Sequence, residues 1–270
     1  GIDIKTHSTY LAELSLGFSS VGSLIEVNDA LTETAKLDIG HNLVVANPPF
    51  NIKNWHTPER LAAPWFDGFT VPPNSNANYA FILRCLYSVS PNDPHARAFV
   101  IMSNGVLNSN DSKISRKELI DKGHIEAIIQ LPAKLFQNTA IPTCLLILTK
   151  HKPVDKVLMM DLSHAATPIN RKQVALKDMD IYINIYHNWV QSGVLETHDD
   201  VVAVSIPTLQ EFNYYLNVGK YKASHACPTL TLNPIDIAER IQSYISTLKT
   251  LQVESERLNT IILKQLETIK

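Results

Sequence analysis

A double proline at positions 48 and 49 ends a strand and so constrains how this chain can fold. The apolar run Leu43-Val44-Val45-Ala46 comes before it and is typical of a buried parallel strand. Neither proline has a backbone N–H, and each holds φ at about −65°, so a strand cannot continue through them. The chain must therefore turn here, leaving carbonyl groups that no neighbouring strand can bind.

The residues around this turn, Asn47-Pro48-Pro49-Phe50, are suited to holding a planar base. The side-chain oxygen of Asn47 and a proline carbonyl can accept both N–H bonds of an exocyclic amino group, while Phe50 stacks on the ring. The alternative is an ordinary strand-to-loop turn in which the aromatic side chain of Phe50 only fills space in the packing. A second double proline, in Val71-Pro72-Pro73-Asn74, has no strand before it and no aromatic residue after it, so we predict no base site there.

Composition limits the classes of protein to which the chain can belong. Its 270 residues are 45% hydrophobic and 19% charged, as expected for one large or two modest globular domains. The formal net charge of −2 gives no overall basic field, so any nucleic acid must be attracted by a local patch or a partner. The sequence has no apolar run of membrane-spanning length and no signal peptide, and it begins at Gly1 without Met, as a fragment would.

The cysteines and histidines predict neither disulfides nor a metal site. Three cysteines, Cys85, Cys144 and Cys227, are widely spaced and odd in number, which suits a reducing cytoplasm. The ten histidines have no ligand spacing. We therefore predict a cytoplasmic protein with no metal and no membrane partner.

Strand-like and helix-like segments alternate through residues 1–165. We predict strands at 1–4, 23–27, 42–46, 98–102, 125–131, 143–149 and 157–160, and helices at 8–17, 78–87 and 115–122. This alternation predicts an α/β fold with a mostly parallel sheet and helices on both faces. Residues 55–78 have no periodicity, and a structureless loop of that length is usually functional or mobile.

The organisation changes after residue 165. We predict a helical segment at 172–192, a strand at 201–205 and an extended aromatic stretch at 211–218. Asn233-Pro234 supplies an N-cap and a proline at the first helical position, and a helix with an apolar seam is predicted from there to Lys270. That helix either docks on a partner or packs on its own domain. The predicted parts are thus an α/β domain at 1–165, a C-terminal subdomain at 166–232 and a terminal helix at 233–270.

Three polar residues, Asp3, Asp29 and Asn47, each follow a predicted strand. Ligands of parallel sheets bind at the carboxyl ends of the strands, so these residues are candidates for one site. The alternatives are a strand-end cap for Asp3 and an ordinary turn for Asp29.

The predicted helix at 115–122 and the turn before it carry several basic side chains. These residues are Lys113, Arg116, Lys117 and Lys122. Contact with phosphates is one interpretation, but a solvated helix face is favoured.

Taken together, these residues resemble the modification (M) subunit of type I restriction-modification systems, an N6-adenine DNA methyltransferase. Asn47-Pro48-Pro49-Phe50 alone indicates only methyl transfer to a planar amino or amide nitrogen. Five further stretches narrow the resemblance, which covers nearly the whole chain: Ser75-Asn76-Ala77-Asn78-Tyr79-Ala80-Phe81-Ile82, Ser103-Asn104-Gly105-Val106-Leu107, Leu131-Pro132-Ala133-Lys134-Leu135-Phe136, Thr139-Ala140-Ile141-Pro142-Thr143-Cys144 and Tyr215-Leu216-Asn217-Val218. The terminal helix also resembles the one that docks on this family's specificity subunit.

The resemblance implies a Rossmann-like class I methyltransferase fold and methyl transfer from S-adenosyl-L-methionine to N6 of a flipped adenine. It implies that Asn47, Pro48, Pro49 and Phe50 are catalytic. It further implies that Asp3 binds the cofactor ribose, that Asp29 lies near the cofactor adenine, and that Asn47 also contacts the cofactor. The family's glycine-rich first loop corresponds to sequence upstream of residue 1, so the catalytic domain at 1–165 is expected to be N-terminally truncated.

The resemblance also implies partners: a specificity subunit, a second M subunit and double-stranded DNA, with room for a restriction subunit. Two alternatives stay open. One is a methyltransferase that acts on protein glutamine or on RNA, since such enzymes also use Asn-Pro-Pro-aromatic motifs. The other is a truncated, non-catalytic fragment that acts as a subunit-interaction module through residues 234–270.

Overall fold

The computed structural model describes residues 1–18, 24–32, 40–136, 140–151, 155–171, 173–195 and 198–225, together with Lys249 and Gln252. The chain divides into two units, Gly1–His225 and Ala226–Lys270. Apart from those two single positions, the helix predicted at 233–270 lies outside the described residues. The predicted domain boundaries at 165 and 232 stay predictions.

A six-stranded sheet is the centre of the first unit. Its strands have the order β10-β7-β5-β6-β4-β3, while β1–β2 and β8–β9 form two separate pairs. Four strands (β3, β4, β5 and β7) run in one direction, and β6 and β10 run in the other, which confirms the predicted mostly parallel sheet. The bounds are β1 (Ile2–Asp3), β2 (Glu26–Val27), β3 (Leu43–Ala46), β4 (Arg97–Ser103), β5 (Ile125–Gln130), β6 (Thr143–Leu148), β7 (Lys156–Asp161), β8 (Ala166–Asn170), β9 (Gln173–Leu176) and β10 (Val201–Ser205).

Helices cover both faces of this sheet, as predicted. Successive residues of β5 show the two faces, because Ile128 packs in the apolar core that includes Leu83 and Leu119, whereas Ala127 packs in a second core with Trp189. Among the described residues, no helix has the length and apolar character needed to cross a membrane. The helices are α1 (Thr6–Phe18), α2 (Pro58–Leu61), α3 (Asn78–Ser88), α4 (Lys113–Asp121), α5 (Met179–Ser192), α6 (Ile206–Glu211) and α7 (Val218–His225).

Strand β3 is more exposed than the sequence predicted. It was expected to be a buried strand, but Leu43 and Val45 are 62% and 72% exposed. The reason is its position, because β3 pairs only with β4 and ends the order of the sheet. One edge of β3 therefore has no strand partner within the described residues.

Beyond residue 165, the predicted helix is confirmed over Met179–Ser192 but not before it, and the predicted extended stretch is wrong. The helical segment predicted at 172–192 begins as strand β9, which pairs with β8, and α5 starts only after Asp178 at φ +56°. The extended stretch predicted at 211–218 is mostly helix and turn, because α6 reaches Glu211 and the chain then reverses at Asn213 and Tyr214, both at positive φ. Local turn chemistry thus overrides the apolar patterns on which both predictions rested.

The segment 55–78, predicted to be structureless, is packed. Trp55 and Trp65 are buried, and α2 lies between them with Thr57 as its N-cap. The second double proline helps to hold it: the Pro73 carbonyl accepts a hydrogen bond from Trp55 Nε1 at 2.9 Å, and the Pro72 carbonyl lies 2.8 Å from His56 Nε2. The carbonyl groups of that double proline are therefore already in use.

Arg116 is not on a solvated helix face. It is fully buried, and its guanidinium donates hydrogen bonds to the carbonyls of Tyr214 (2.7 Å) and Ser109 (3.0 Å). The solvated-face interpretation holds for Lys113 and Lys122, which are exposed. Arg116 instead ties α4 to the turn that precedes α7.

A buried ion pair joins β4 to β5 beneath α5. Glu126 is fully buried; its Oε1 accepts hydrogen bonds from Arg97 Nε at 2.8 Å and from the Tyr186 hydroxyl at 2.6 Å. Burial, together with the Glu126 carboxylate, raises the pKa of Tyr186, so this hydroxyl stays a donor at neutral pH. The three side chains form one polar network inside an apolar core.

Glu126→Ala should destabilise the fold by about 3–5 kcal/mol, because it leaves the Arg97 guanidinium buried without its carboxylate. Urea unfolding followed by circular dichroism measures this loss. Glu211→Ala, which removes an exposed glutamate, is the matched control and should change the free energy of unfolding by no more than about 0.5 kcal/mol. Equal free energies of unfolding for Glu126→Ala and Glu211→Ala would contradict a stabilising role for the buried pair of Arg97 and Glu126.

Candidate functional site

One cavity gathers every residue that the sequence singled out for the site. It has a volume of about 1130 Å³ and is lined by β1 and β3 and by the loops that follow β1, β2 and β3. Ligand sites in proteins have volumes of roughly 300–1,000 Å³, so a molecule of cofactor size and a base can both be accommodated. The predicted residues on its wall are Asp3, Asp29, Asn47, Pro48, Pro49 and Phe50.

Asn47 and Pro48 offer unused hydrogen-bond acceptors to this cavity. The ladder between β3 and β4 ends at the pair Ala46 and Val100, one residue before the motif. Within the described residues, neither the Asn47 side chain nor the Pro48 carbonyl has a hydrogen-bond partner, and Asn47 is exposed. The carbonyls of the other double proline, by contrast, contact Trp55 and His56. Only the first double proline is therefore able to accept bonds from a ligand.

Two phenylalanine rings lie on the cavity wall. Phe50 is partly buried, as expected for a ring that packs on one side and is open on the other. Phe136, at the end of the stretch that follows β5, lines the same cavity. In the sequence, Phe136 stands out only as the last residue of a family-like stretch, Leu131-Pro132-Ala133-Lys134-Leu135-Phe136. An aromatic residue shortly after a strand that ends at a proline was the signal for it.

The carboxylates of Asp3 and Asp29 each bind a backbone amide nearby. Asp3 Oδ1 accepts from the Lys5 N–H at 2.7 Å, and Asp29 Oδ1 accepts from the Leu31 N–H at 2.9 Å. These are the contacts of the strand-end cap and the turn that the sequence left as alternatives. A carboxylate has about four lone-pair sites, so the amide contact leaves Asp3 able to accept further bonds from a ligand. Asp29 also accepts two bonds from Arg60 on Oδ2, which leaves about one site, on Oδ1, for a ligand.

Arg60 and Arg84 hold the turn that carries Asp29, and the sequence analysis missed both. Arg60 donates to Asp29 Oδ2 from Nε (2.8 Å) and Nη2 (2.6 Å), and to the Trp55 carbonyl from Nη1 (3.0 Å). Arg84 is buried, donates to the Ala30 carbonyl at 3.2 Å, and stacks over the Trp65 ring with Cζ 4.6 Å from its centroid. The N-cap pattern Thr57-Pro58 before Arg60 was the available signal.

Cys85 also lines the cavity, but its chemistry is not that of a nucleophile. Burial raises the pKa of its thiol to about 12. A reactive cysteine requires thiolate at neutral pH, so this thiol stays protonated and acts as a small apolar side chain. The groups left for chemistry are the amide and carbonyl acceptors, the two rings and the carboxylates.

Comparison with known proteins identifies the family. A sequence model described as N-6 DNA Methylase matches residues 1–228. The chain is 26% identical over 294 residues to the type I restriction enzyme MjaIX methylase subunit of Methanocaldococcus jannaschii, covering 100% of this chain and 51% of that protein. It is 28% identical over 247 residues to the HindI methylase subunit of Haemophilus influenzae, covering 88% of this chain and 54% of that protein. The chain thus spans about half the length of these relatives.

Solved structures agree on the fold. The methyltransferase subunit of a type I restriction-modification system from Streptococcus thermophilus superposes with a TM-score of 0.72 at 26% identity, covering 82% of this chain and 47% of that one. A putative class I S-adenosylmethionine-dependent methyltransferase from Listeria monocytogenes gives a TM-score of 0.51 at 23% identity, covering 70% of this chain and 53% of that one. The predicted class I methyltransferase fold is confirmed, and the chain belongs to the N-6 DNA methylase family.

Proposed function

We propose that this protein transfers a methyl group from S-adenosyl-L-methionine to N6 of an adenine flipped out of double-stranded DNA. The observation that carries the proposal is the pair of free acceptors, the Asn47 amide oxygen and the Pro48 carbonyl, beside an aromatic ring in one cavity. An amino group attached to a planar ring fits these parts, because it offers two N–H donors in the plane and a face for stacking.

The acceptors help to make the adenine nitrogen reactive. Its lone pair is delocalised into the ring, so the amino group is planar and a poor nucleophile. Two N–H bonds directed to Asn47 and Pro48 favour a pyramidal nitrogen, whose lone pair then points away from the ring. This is electrostatic stabilisation by acceptors already in position, and it requires no carboxylate with a raised pKa.

Aromatic stacking offsets the cost of removing the base from the duplex. Flipping costs about a few kcal/mol, and stacking on an aromatic side chain contributes about 1–3 kcal/mol per base. Phe50 is the first candidate for this contact, and Phe136 on the same wall is a second. Because Phe50 lies two residues after Pro48, the base can be stacked and hydrogen-bonded by one short segment.

The acidic residues of the cavity fit S-adenosyl-L-methionine. Asp3 is suited to accept hydrogen bonds from the ribose hydroxyls, since only one amide contact is made to it within the described residues. Asp29 is suited to accept one bond from the adenine amino group through Oδ1, because Arg60 already occupies Oδ2. Asn47 lines the same cavity and is proposed to contact both the cofactor and the base. When bound, the cofactor would supply an electrophilic methyl group on sulfur, so that its transfer to N6 would break the methyl–sulfur bond, release S-adenosyl-L-homocysteine and leave one amino proton to be lost to water.

The proposed setting is a cytoplasmic type I restriction-modification complex. The partners would be a specificity subunit, which docks on the helix predicted at 233–270, a second M subunit and, in a restricting complex, a restriction subunit. In this setting residues 1–165 form the catalytic domain and 166–232 a C-terminal subdomain. The similarity to methylase subunits of type I restriction enzymes supports this assembly.

Asn47→Ala should reduce methylation of DNA by the natively assembled enzyme at least about 100-fold, because one of the two acceptors is lost. Transfer of a tritiated methyl group to DNA measures the rate, and thermal unfolding should be unchanged because Asn47 is exposed. Asn42→Ala, an exposed asparagine at the other end of β3, is the control and should keep the wild-type rate. A near wild-type rate for Asn47→Ala would reject the acceptor role.

Phe50→Ala should weaken target engagement more than cofactor binding, by about 10-fold or more for a lost stacking contact. Fluorescence of 2-aminopurine at the target position reports the flipped base, and calorimetry reports cofactor affinity. Phe136→Ala tests the second ring in the same assay. Equal losses of both affinities in Phe50→Ala would argue against stacking.

Asp29→Ala should weaken binding of S-adenosyl-L-methionine about 10-fold, because a hydrogen bond to a charged group contributes about 1.5–3 kcal/mol. Calorimetry on the natively assembled enzyme gives the dissociation constant. Asp67→Ala, which removes an exposed carboxylate outside the cavity lining, should leave it unchanged. No binding by the wild-type enzyme would instead favour the non-catalytic interaction module.

A further inference from the structure

A pair of asparagine amides holds the chain immediately after the proposed base site. Asn78 Oδ1 accepts a hydrogen bond from the Asn51 N–H at 2.8 Å, and Asn78 Nδ2 donates to Asn51 Oδ1 at 3.0 Å. Asn51 directly follows Phe50 and has φ +59°, a left-handed conformation that asparagine tolerates better than most residues. The two bonds form a closed ring between a loop residue and the first residue of α3.

Asn78, the partner of Asn51 in this ring, is held in the core of the domain. Asn78 is only 2% exposed and begins α3, a helix whose apolar side chains, including Tyr79 and Ile82, are buried. Neighbouring contacts reinforce it: Asn76 Nδ2 donates to Asn51 Oδ1 at 3.2 Å, and the Asn76 side chain accepts from the Asn78 N–H at 2.9 Å. Asn51 is therefore attached to the core of the domain although its own side chain is exposed.

The four residues of the proposed base site, Asn47 to Phe50, thus lie between two segments that are each held by hydrogen bonds. On one side Ala46 pairs with Val100 in the sheet, and on the other side Asn51 is bound to Asn78. Between them, Pro48 and Pro49 have restricted φ angles, so the segment has few ways to relax. The direction of the Pro48 carbonyl then depends on where Asn51 is held.

We propose that Asn78 is a positioning residue for adenine methylation, which acts through Asn51 to aim the Asn47 and Pro48 acceptors. The inference rests on the proposed function of that site. It predicts that loss of the amide ring slows the chemical step while cofactor binding persists, because the misplacement of a reacting group by about 1 Å can cost a factor of about 100 in rate.

The test compares matched asparagines in the natively assembled enzyme. Asn78→Ala, which removes both bonds of the ring, should lower the single-turnover methylation rate by about 10- to 100-fold. Asn51→Ala, which removes the bond to Asn51 Oδ1 but keeps the backbone N–H bond, should lower it by about 10-fold, and in both variants the cofactor dissociation constant should change less than about twofold. Asn51→Asp keeps an oxygen acceptor and tolerates the same φ, so it should restore a rate within about threefold of wild type. Asn54→Ala is the control, because Asn54 is also exposed, has φ +54°, and makes no side-chain hydrogen bond within the described residues.

Amide hydrogen exchange provides a readout that does not depend on activity. The Asn51 N–H should be protected in the wild-type protein and exchange faster in Asn78→Ala, and unchanged protection would overturn the proposal. Equal rates for Asn51→Ala and Asn54→Ala would also overturn it, as would parallel losses of rate and cofactor affinity. A wild-type enzyme that does not methylate adenine would instead reject the proposed function. Since Asn51 is exposed, Asn51→Ala keeps the test informative even if Asn78→Ala does not fold.

Discussion

The end of the β3–β4 ladder is the constraint on which the candidate site depends. Pairing stops at Ala46 and Val100, because the two prolines that follow Asn47 have no N–H to donate. A strand that continued would bury these backbone carbonyls in hydrogen bonds with its neighbour. Since it ends, the Asn47 amide and the Pro48 carbonyl remain available at the mouth of a cavity.

Other loops of the cavity wall are also held by contacts within the protein, and these contacts leave hydrogen-bond acceptors for a ligand. Arg60 and Arg84 bind the turn that carries Asp29, one through the carboxylate and the other through the Ala30 carbonyl. In a comparable way, Asn78 binds Asn51, the residue that directly follows the proposed base site. Binding groups whose positions are set in advance lose less entropy when a ligand arrives.

Buried charges stabilise the scaffold away from these loops. Arg97 and Glu126 join two strands, with the Tyr186 hydroxyl as a third member, while Arg116 donates to backbone carbonyls and ties α4 to the turn before α7. Each guanidinium has specific oxygen partners, as burial of a charge requires. Long-range contacts of this kind have no sequence signature, so a basic helix such as α4 was interpreted as solvated.

The sequence alone determined the alternation of strands and helices, the turn at Pro48 and Pro49, and the carboxyl-end positions of Asp3, Asp29 and Asn47, because backbone chemistry and apolar periodicity act locally. It also carried the family resemblance. Only the tertiary structure decided that β3 lies at an edge, that residues 173–176 form a strand, and that Arg60, Arg84 and Asn78 support the site. The edge position of β3 and the contacts of these three side chains depend on partners that are distant in sequence, and such pairs form only when the chain packs. The strand at 173–176 instead pairs with its neighbour β8 in a local hairpin that the apolar pattern did not reveal.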